Sequence, residues 1–243
     1  MAEFRIKIAG AVAAVASLFD STPHYLSAYL TGEPADFAVA VTEEDLQFEQ
    51  AELDAEAAEE GFRRRVFTDP FLERAAIQRA FAEYLFRRQI LLVHGSAVAV
   101  DGKAYLFMAK SGTGKSTHTR FWREMFGHRA VMINDDKPFL ALTDRGVVAF
   151  GSPWSGKHGL DTNISAPLAG ICILERGPEN KIWPISAPEA LEMLRKQSYC
   201  PMNMALQAAF EDLTASLAQT VPLWRMTCAK DPQAAQVAYR AMS

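Results

Sequence analysis

The residues Ala109-Lys110-Ser111-Gly112-Thr113-Gly114-Lys115-Ser116 place two glycines, a lysine and a hydroxyl in the order that a phosphate-binding loop requires. Gly112 and Gly114 allow the tight turns that bring backbone N–H groups against phosphate oxygens. A helix starting at Thr117 would add the positive end of its dipole. Lys115 supplies a point charge for the β- and γ-phosphates, and Ser116 a hydroxyl ligand for Mg²⁺. The expected contacts to ATP therefore run through Ser111, Gly112, Thr113, Gly114, Lys115, Ser116 and Thr117. Ala109 stands where the usual motif has its first glycine.

Further along, Asn134-Asp135-Asp136 follows an apolar stretch, and acids at a strand end beside such a loop are where a further Mg²⁺ contact belongs. One carboxylate can hold metal while the other takes a proton from an attacking hydroxyl. With Lys137-Pro138 behind it, the same stretch is also good turn chemistry. The run Gly151-Ser-Pro-Trp-Ser-Gly-Lys-His-Gly159 reads as a flexible polar loop, in which Lys157 is placed to stabilise charge on a moving phosphoryl group and Trp154 to pack. His94 sits at the end of a short strand; it can serve structure or the site.

These residues need strands and helices to carry them. Tyr105–Met108 is a predicted strand feeding the loop, and Thr117–Phe126 a predicted helix ended by Gly127. Ala97–Val100 and 104–108, joined by Asp101-Gly102, read as a hairpin, as do 139–142 and 147–150. Ile90–Val93, 130–133, Ile171–Glu175 and Val221–Met226 read as strands, and 188–198 and 204–217 as helices. In the N-terminal part, Phe4–Ile8 alternates as a strand, and the following Ala-rich run to Phe19 suggests a buried helix. Glu3 and the lack of a cleavage site count against a secretory signal there, and the run is too short to span a bilayer. Phe37–Val41 is a strand candidate. Thr42–Asp45 has capping-box spacing with Asp in the last place, and 43–60 carries nine acids, read as a solvated helix face. Asp69-Pro70 opens another helix.

His94-Gly95, Ser111–Ser116 and Asp135-Asp136 together resemble the catalytic core of the HPr serine kinase/phosphorylase family, which shares that core with the ATP-dependent phosphoenolpyruvate carboxykinases. The Ser-Gly-Thr-Gly-Lys stretch resembles the carboxykinase loop, and the His-Gly spacing the HPr kinase one. Lys157-His158-Gly159-Leu160 falls where the family has Arg-Gly-Leu-Gly, and Asn163 where its signature also has Asn. The acid that precedes that signature has no counterpart among Pro153, Trp154 and Ser155, which counts against a second metal site and phosphorylase activity. The likeness spans roughly residues 90–175; residues 1–88 show none to the usual N-terminal domain.

The resemblance implies an α/β (α+β) fold: a P-loop core of mixed sheet with hairpins and flanking helices in residues 89–243, preceded by a small accessory α+β region, 1–88. It places His94 near the transferred phosphate, Lys115 and Ser116 on the nucleotide phosphates and metal, and the metal ligand and general base among Asp135 and Asp136, in an order left open. The implied activity is ATP-dependent transfer of the γ-phosphate to a hydroxyl, as on Ser or Thr of a protein or peptide, with Mg²⁺. The alternatives are a kinase of a small-molecule hydroxyl, a carboxykinase-like enzyme, and a non-catalytic ATP-binding regulatory module. A homo-oligomer is a family expectation.

Across 243 residues the formal net charge is −4, which argues against a nucleic-acid binder. Cys172, Cys200 and Cys228 are widely spaced, as expected of reduced, buried thiols in a cytoplasmic protein.

Overall fold

The computed structural model describes residues 2–59 and 61–243; Glu60, the last acid of the 43–60 run, lies outside them. The chain divides into two compact units, Met1–Tyr84 and Leu85–Ser243.

In the first unit, β1 (Ala2–Ile8) and β2 (Ala11–Ser17) form an antiparallel hairpin with Ile8 opposite Ala11. Ala9 and Gly10 turn the chain at φ 48° and 82°, the left-handed pair that tight hairpins favour. The Ala-rich run expected to be helical is thus a strand. Alanine's helix propensity is a weak preference; here β2 gains hydrogen bonds along both edges, to β1 and to the parallel β3 (Phe37–Ala40), and buries Ala11, Ala13 and Val15. A short α1 (Ser21–Tyr25) follows β2. Helix α2 (Glu43–Glu59) opens on the expected reciprocal cap: Thr42 N–H donates to Asp45 Oδ2 at 3.0 Å, and Asp45 N–H to Thr42 Oγ1 at 3.3 Å. Helix α3 (Asp69–Phe86) carries Pro70 in its first turn. Arg79 of α3 ties it to α2 by donating to Asp45 at 2.9 Å and Glu49 at 2.6 Å. Glu73, fully buried, accepts from Leu18 N–H and the Thr22 hydroxyl, fixing the corner after β2 to α3.

The second unit is a mixed sheet with helices on both faces. Its strands are β4 (Ile90–Leu92), β5 (Ser96–Val100), β6 (Lys103–Met108), β7 (Ala130–Asn134), β8 (Phe139–Thr143), β9 (Gly146–Phe150), β10 (Ser165–Arg176), β11 (Lys181–Pro184) and β12 (Leu223–Cys228). They run in the order β4-β8-β9-β10-β6-β5-β7, with β12 also on β10 and β11 beyond it. Its helices are α4 (Lys115–Phe126), α5 (Ala187–Lys196), α6 (Gln207–Thr220) and α7 (Gln233–Met242). Strand alternation assigns the faces. Ala97, Leu106, Met108, Ile171 and Ile173 pack with Phe210 and Leu217 of α6, while Val98, Tyr105, Phe107 and Cys172 pack with Trp122 of α4 and Ala238 of α7.

Several expectations shift. β10 is 12 residues long rather than the five of 171–175, because its first part pairs antiparallel with β9 while its later part runs parallel between β6 and β12. The 204–217 segment starts as a 3₁₀ turn and becomes α6 only at Gln207. β11 and α7 were not foreseen. All three cysteines are free, but only Cys172 is buried; Cys228 is half-buried and Cys200 exposed. Among the described residues no helix is long and apolar enough to cross a membrane.

His118 of α4 is buried beneath Phe107, with Trp122 Nε1–H donating to its Nε2 at 3.1 Å. Desolvation pushes its pKa down to about 3. The unfolded chain then binds a proton that the folded chain refuses, so stability present above the ordinary histidine pKa of about 6.5 is lost as pH falls from there toward 3. His118→Gln, which keeps an acceptor for Trp122, is expected to flatten the pH dependence of urea unfolding between pH 6.5 and 4; an unchanged slope would show that other groups carry it.

Candidate active site

Register brings the chemistry to one end of the sheet. β5 and β6 are antiparallel with Ser96 opposite Phe107, so His94-Gly95, just before β5, lies beside the end of β6 where the glycine loop begins. β7 is antiparallel to β5 with Asn134 opposite Ala97, so Asp135-Asp136 emerges at the same end. β10 is parallel to β6 with Ile173 opposite Met108, so the end of β10 lies there too. The Asp101-Gly102 turn, at φ 49° and 79°, fixes the hairpin that sets the first of these registers.

The loop leaves β6 at Ala109 and enters α4 at Lys115. Gly112 and Gly114 adopt φ 74° and 122°, conformations that side-chain-bearing residues rarely reach. Ala109 needs no such freedom: its φ is not positive and its methyl group belongs to the core, which explains how alanine stands where the usual motif has glycine. Lys115 bends back over the loop, its Nζ donating to the Ala109 carbonyl at 3.2 Å. Ser116 and Thr117 lie in the first turn of α4, half-buried, and Ser111 is exposed. The hydroxyls of Ser96 and Thr119, 3.1 Å apart and buried, join the start of β5 to α4.

The acidic pair is set by Asn134, whose side chain is fully buried. Its Oδ1 accepts from the N–H groups of Asp136 (2.7 Å) and Lys137 (2.6 Å), an Asx turn. Its Nδ2 donates to Ser152 O (2.7 Å) and Ser152 Oγ (3.1 Å), and Ser152 Oγ returns a bond to Lys137 O at 2.6 Å. The turn reading and the site reading of Asn134-Asp135-Asp136 thus both hold for the geometry: the turn is what presents the two acids. Gly151 completes the corner. A Cβ there would lie 1.9 Å from the Thr162 carbonyl oxygen and 2.9 Å from that of Ile133, so only glycine fits.

The two carboxylates face different surroundings. Asp135 is 4% exposed and accepts from Gly156 N–H at 2.6 Å, so it anchors the 151–159 loop. Burial, helped by the neighbouring Asp136 charge, raises its pKa, while Gly156 N–H and His158 pull the other way. Asp136 Oδ1 lies 3.2 Å from His94 Nε2. Burial raises Asp136 as well, but His94, Lys137 and Lys115 outweigh it and hold the carboxyl below its ordinary range. Burial pushes His94 down, and Lys137 and Lys115 add to this against the pull of Asp136. The pair is therefore an ionised carboxylate accepting from the N–H of a neutral imidazole. Lys115 acts on both partners, so the glycine loop and the acidic pair share one electrostatic environment.

The structure thus brings together His94, the 111–117 loop, Asp135 and Asp136. Lys157 is exposed, next to the Gly156 that Asp135 holds, and Trp154 packs, 6.3 Å from Phe139. Sequence reasoning did not single out Gly151 or Ser152, for which no local signal exists, or the reach of the Asn134 side chain, which only the Asx pattern hinted at. Arg176, at the end of β10, donates to the glycine loop: Nη2 to Gly112 O at 2.6 Å and Nε to Thr113 O at 3.4 Å.

No family model matches the chain, and no curated protein matches it. Among solved structures, the HPr(Ser) kinase/phosphatase from Coxiella burnetii aligns with 51% of this chain and 94% of its own, at 11% identity and a TM-score of 0.29.

Asn134→Ala leaves the part-buried N–H groups of Asp136 and Lys137 and the buried Ser152 carbonyl without this partner, a loss of about 2–4 kcal/mol by the usual cost of such groups. Chemical denaturation should show that drop; a loss under about 0.5 kcal/mol would mean that the corner holds without it.

Proposed function

We propose that this protein is an ATP-dependent phosphotransferase that moves the γ-phosphate to a hydroxyl, as on Ser or Thr of a protein or peptide. The observation that carries the reading is the convergence of Lys115, His94 and Asp136 at one sheet end, with His94 Nε2 3.2 Å from Asp136 Oδ1 and the Lys115 charge acting on both. The likeness of His94-Gly95, Ser111–Ser116 and Asp135-Asp136 to the HPr kinase core supports the same chemistry, and the coupled acid pair speaks for catalysis over a purely regulatory binding module.

In this reading the phosphates lie along the loop from Ser111 to Thr117, where N–H groups and the start of α4 favour anions. Ser116 and Asp136 offer hard oxygens, which suit Mg²⁺. Among the described residues no cluster of three or more His, Cys, Asp or Glu could hold a metal alone. Held by Ser116 and Asp136, Mg²⁺ would supply charge neutralisation to the nucleotide phosphates. Asp136, ionised and beside Lys115, is the carboxylate suited to that ion. Asp135, almost closed off from water and bonded to the loop that carries Lys157, is suited to accept the proton of the attacking hydroxyl. Lys115 holds the phosphates, Lys157 offsets charge on the group in transit, and His94 keeps Asp136 oriented close to it.

Incubation with γ-labelled ATP and Mg²⁺ against candidate peptide and protein acceptors is the direct test. Lys115→Ala should cut transfer by roughly 10²- to 10³-fold, the usual cost of removing one charge-stabilising group. Full turnover by that variant would refute the mechanism. Asp135→Asn should lose transfer yet retain Mg²⁺–nucleotide binding by calorimetry, whereas Asp136→Asn should raise the Mg²⁺ concentration needed. The reverse pattern would exchange the two roles.

A further inference from the structure

We propose that Arg176, at the end of β10, is a positioning residue that locks the phosphate loop into its anion-binding conformation; the inference rests on the phosphotransfer reading above. Its guanidinium forks onto two consecutive carbonyls, Gly112 O at 2.6 Å and Thr113 O at 3.4 Å. These lie within the stretch bounded by Gly112 at φ 74° and Gly114 at φ 122°, where the absence of Cβ atoms leaves peptide planes free to rotate. In a trans peptide the C=O and N–H point in opposite directions. Holding the Thr113 carbonyl toward Arg176 therefore turns the Gly114 N–H away from it. Meanwhile the Thr113 N–H closes a turn onto Lys110 O at 3.2 Å, so it needs no second partner.

The reach of Arg176 follows from strand register. Ile173 of β10 sits opposite Met108 of β6, so the arginine three residues on arrives beside the loop that begins one residue after Met108. Its neighbour Glu175 is held on the adjacent β12 by Arg225, 2.8 Å away. Arg176 itself pairs with Cys228 of β12, which fixes its backbone while its head group grips the loop. A planar fork can hold two acceptors at once, which the single ammonium of lysine cannot do in the same geometry. Arg176 also brings positive charge to the loop, but charge alone would not fix the peptide planes.

The test uses the full chain, with two readouts. In ligand-free protein, Arg176→Ala should raise amide hydrogen exchange across 110–116 about tenfold, with a melting temperature within about 2 °C of wild type because the side chain is exposed. The dissociation constant for Mg²⁺ with AMP-PNP should rise about tenfold by calorimetry, and Arg176→Lys should keep most of both defects. Unchanged exchange and affinity in Arg176→Ala would overturn the proposal, as would full rescue by lysine, which would assign the effect to charge. If wild type binds no Mg²⁺–AMP-PNP at all, the phosphotransfer reading falls, and the role of Arg176 in nucleotide affinity falls with it. A wild type that binds beside an indifferent Arg176→Ala sinks the clamp alone.

Discussion

The strand register at the core of the second unit is the constraint on which the site depends. Along β6, Leu106 and Met108 face one helical layer while Tyr105 and Phe107 face the other. A one-residue slip against β5 would exchange the two sets and put aromatic rings where the α5–α6 side has room for aliphatic chains. Because both faces are buried, the penalty for slipping falls on every strand at once. The same register sets His94, the glycine loop, Asp135-Asp136 and Arg176 beside one another. The packing of the core therefore sets where these candidate residues lie.

On that scaffold, buried polar groups make the final adjustments. Asn134 spends its whole side chain on backbone and on Ser152, and Gly151 lets the chain pass where a methyl group would meet a carbonyl. The pairing of β5 with β7 shifts between Ala97 and Val98, leaving Ile133 as an extra residue just before Asn134 and the acids. Packed corners of this kind convert a flexible dipeptide into one with fixed and unequal surroundings. Asp135 is drawn to the Gly156 backbone, Asp136 to His94 and the field of Lys115, and two chemically identical side chains become different groups.

The first unit shows the limits of local preference. Its Ala-rich run has the composition of a helix and the behaviour of a central strand, because hydrogen bonds along two edges and burial of alternate residues outweigh a propensity difference of a few tenths of a kcal/mol per residue. The acidic α2 tells the opposite story. Its Thr42–Asp45 cap and solvated face follow directly from composition, and the exception, buried Glu49, is explained by Arg79, a partner 30 residues away.

Sequence alone determined what depends on near neighbours: the Asp-Gly hairpin, the strand–glycine loop–helix order at 105–126, the cap at Thr42, and the candidate pair Asp135-Asp136. Turns, caps and glycine-rich loops are written in residues a few positions apart, and their physics is complete at that range. Tertiary structure decided what depends on residues far apart. It set the 12-residue span of β10, which needs β9 on one side and β6 and β12 on the other. It also set the grip of Arg176 on Gly112, 64 residues away, the single fit of glycine at 151, and the unequal fates of two adjacent aspartates. Burial and long-range pairing exist only once the sheet has closed, and no local pattern encodes them.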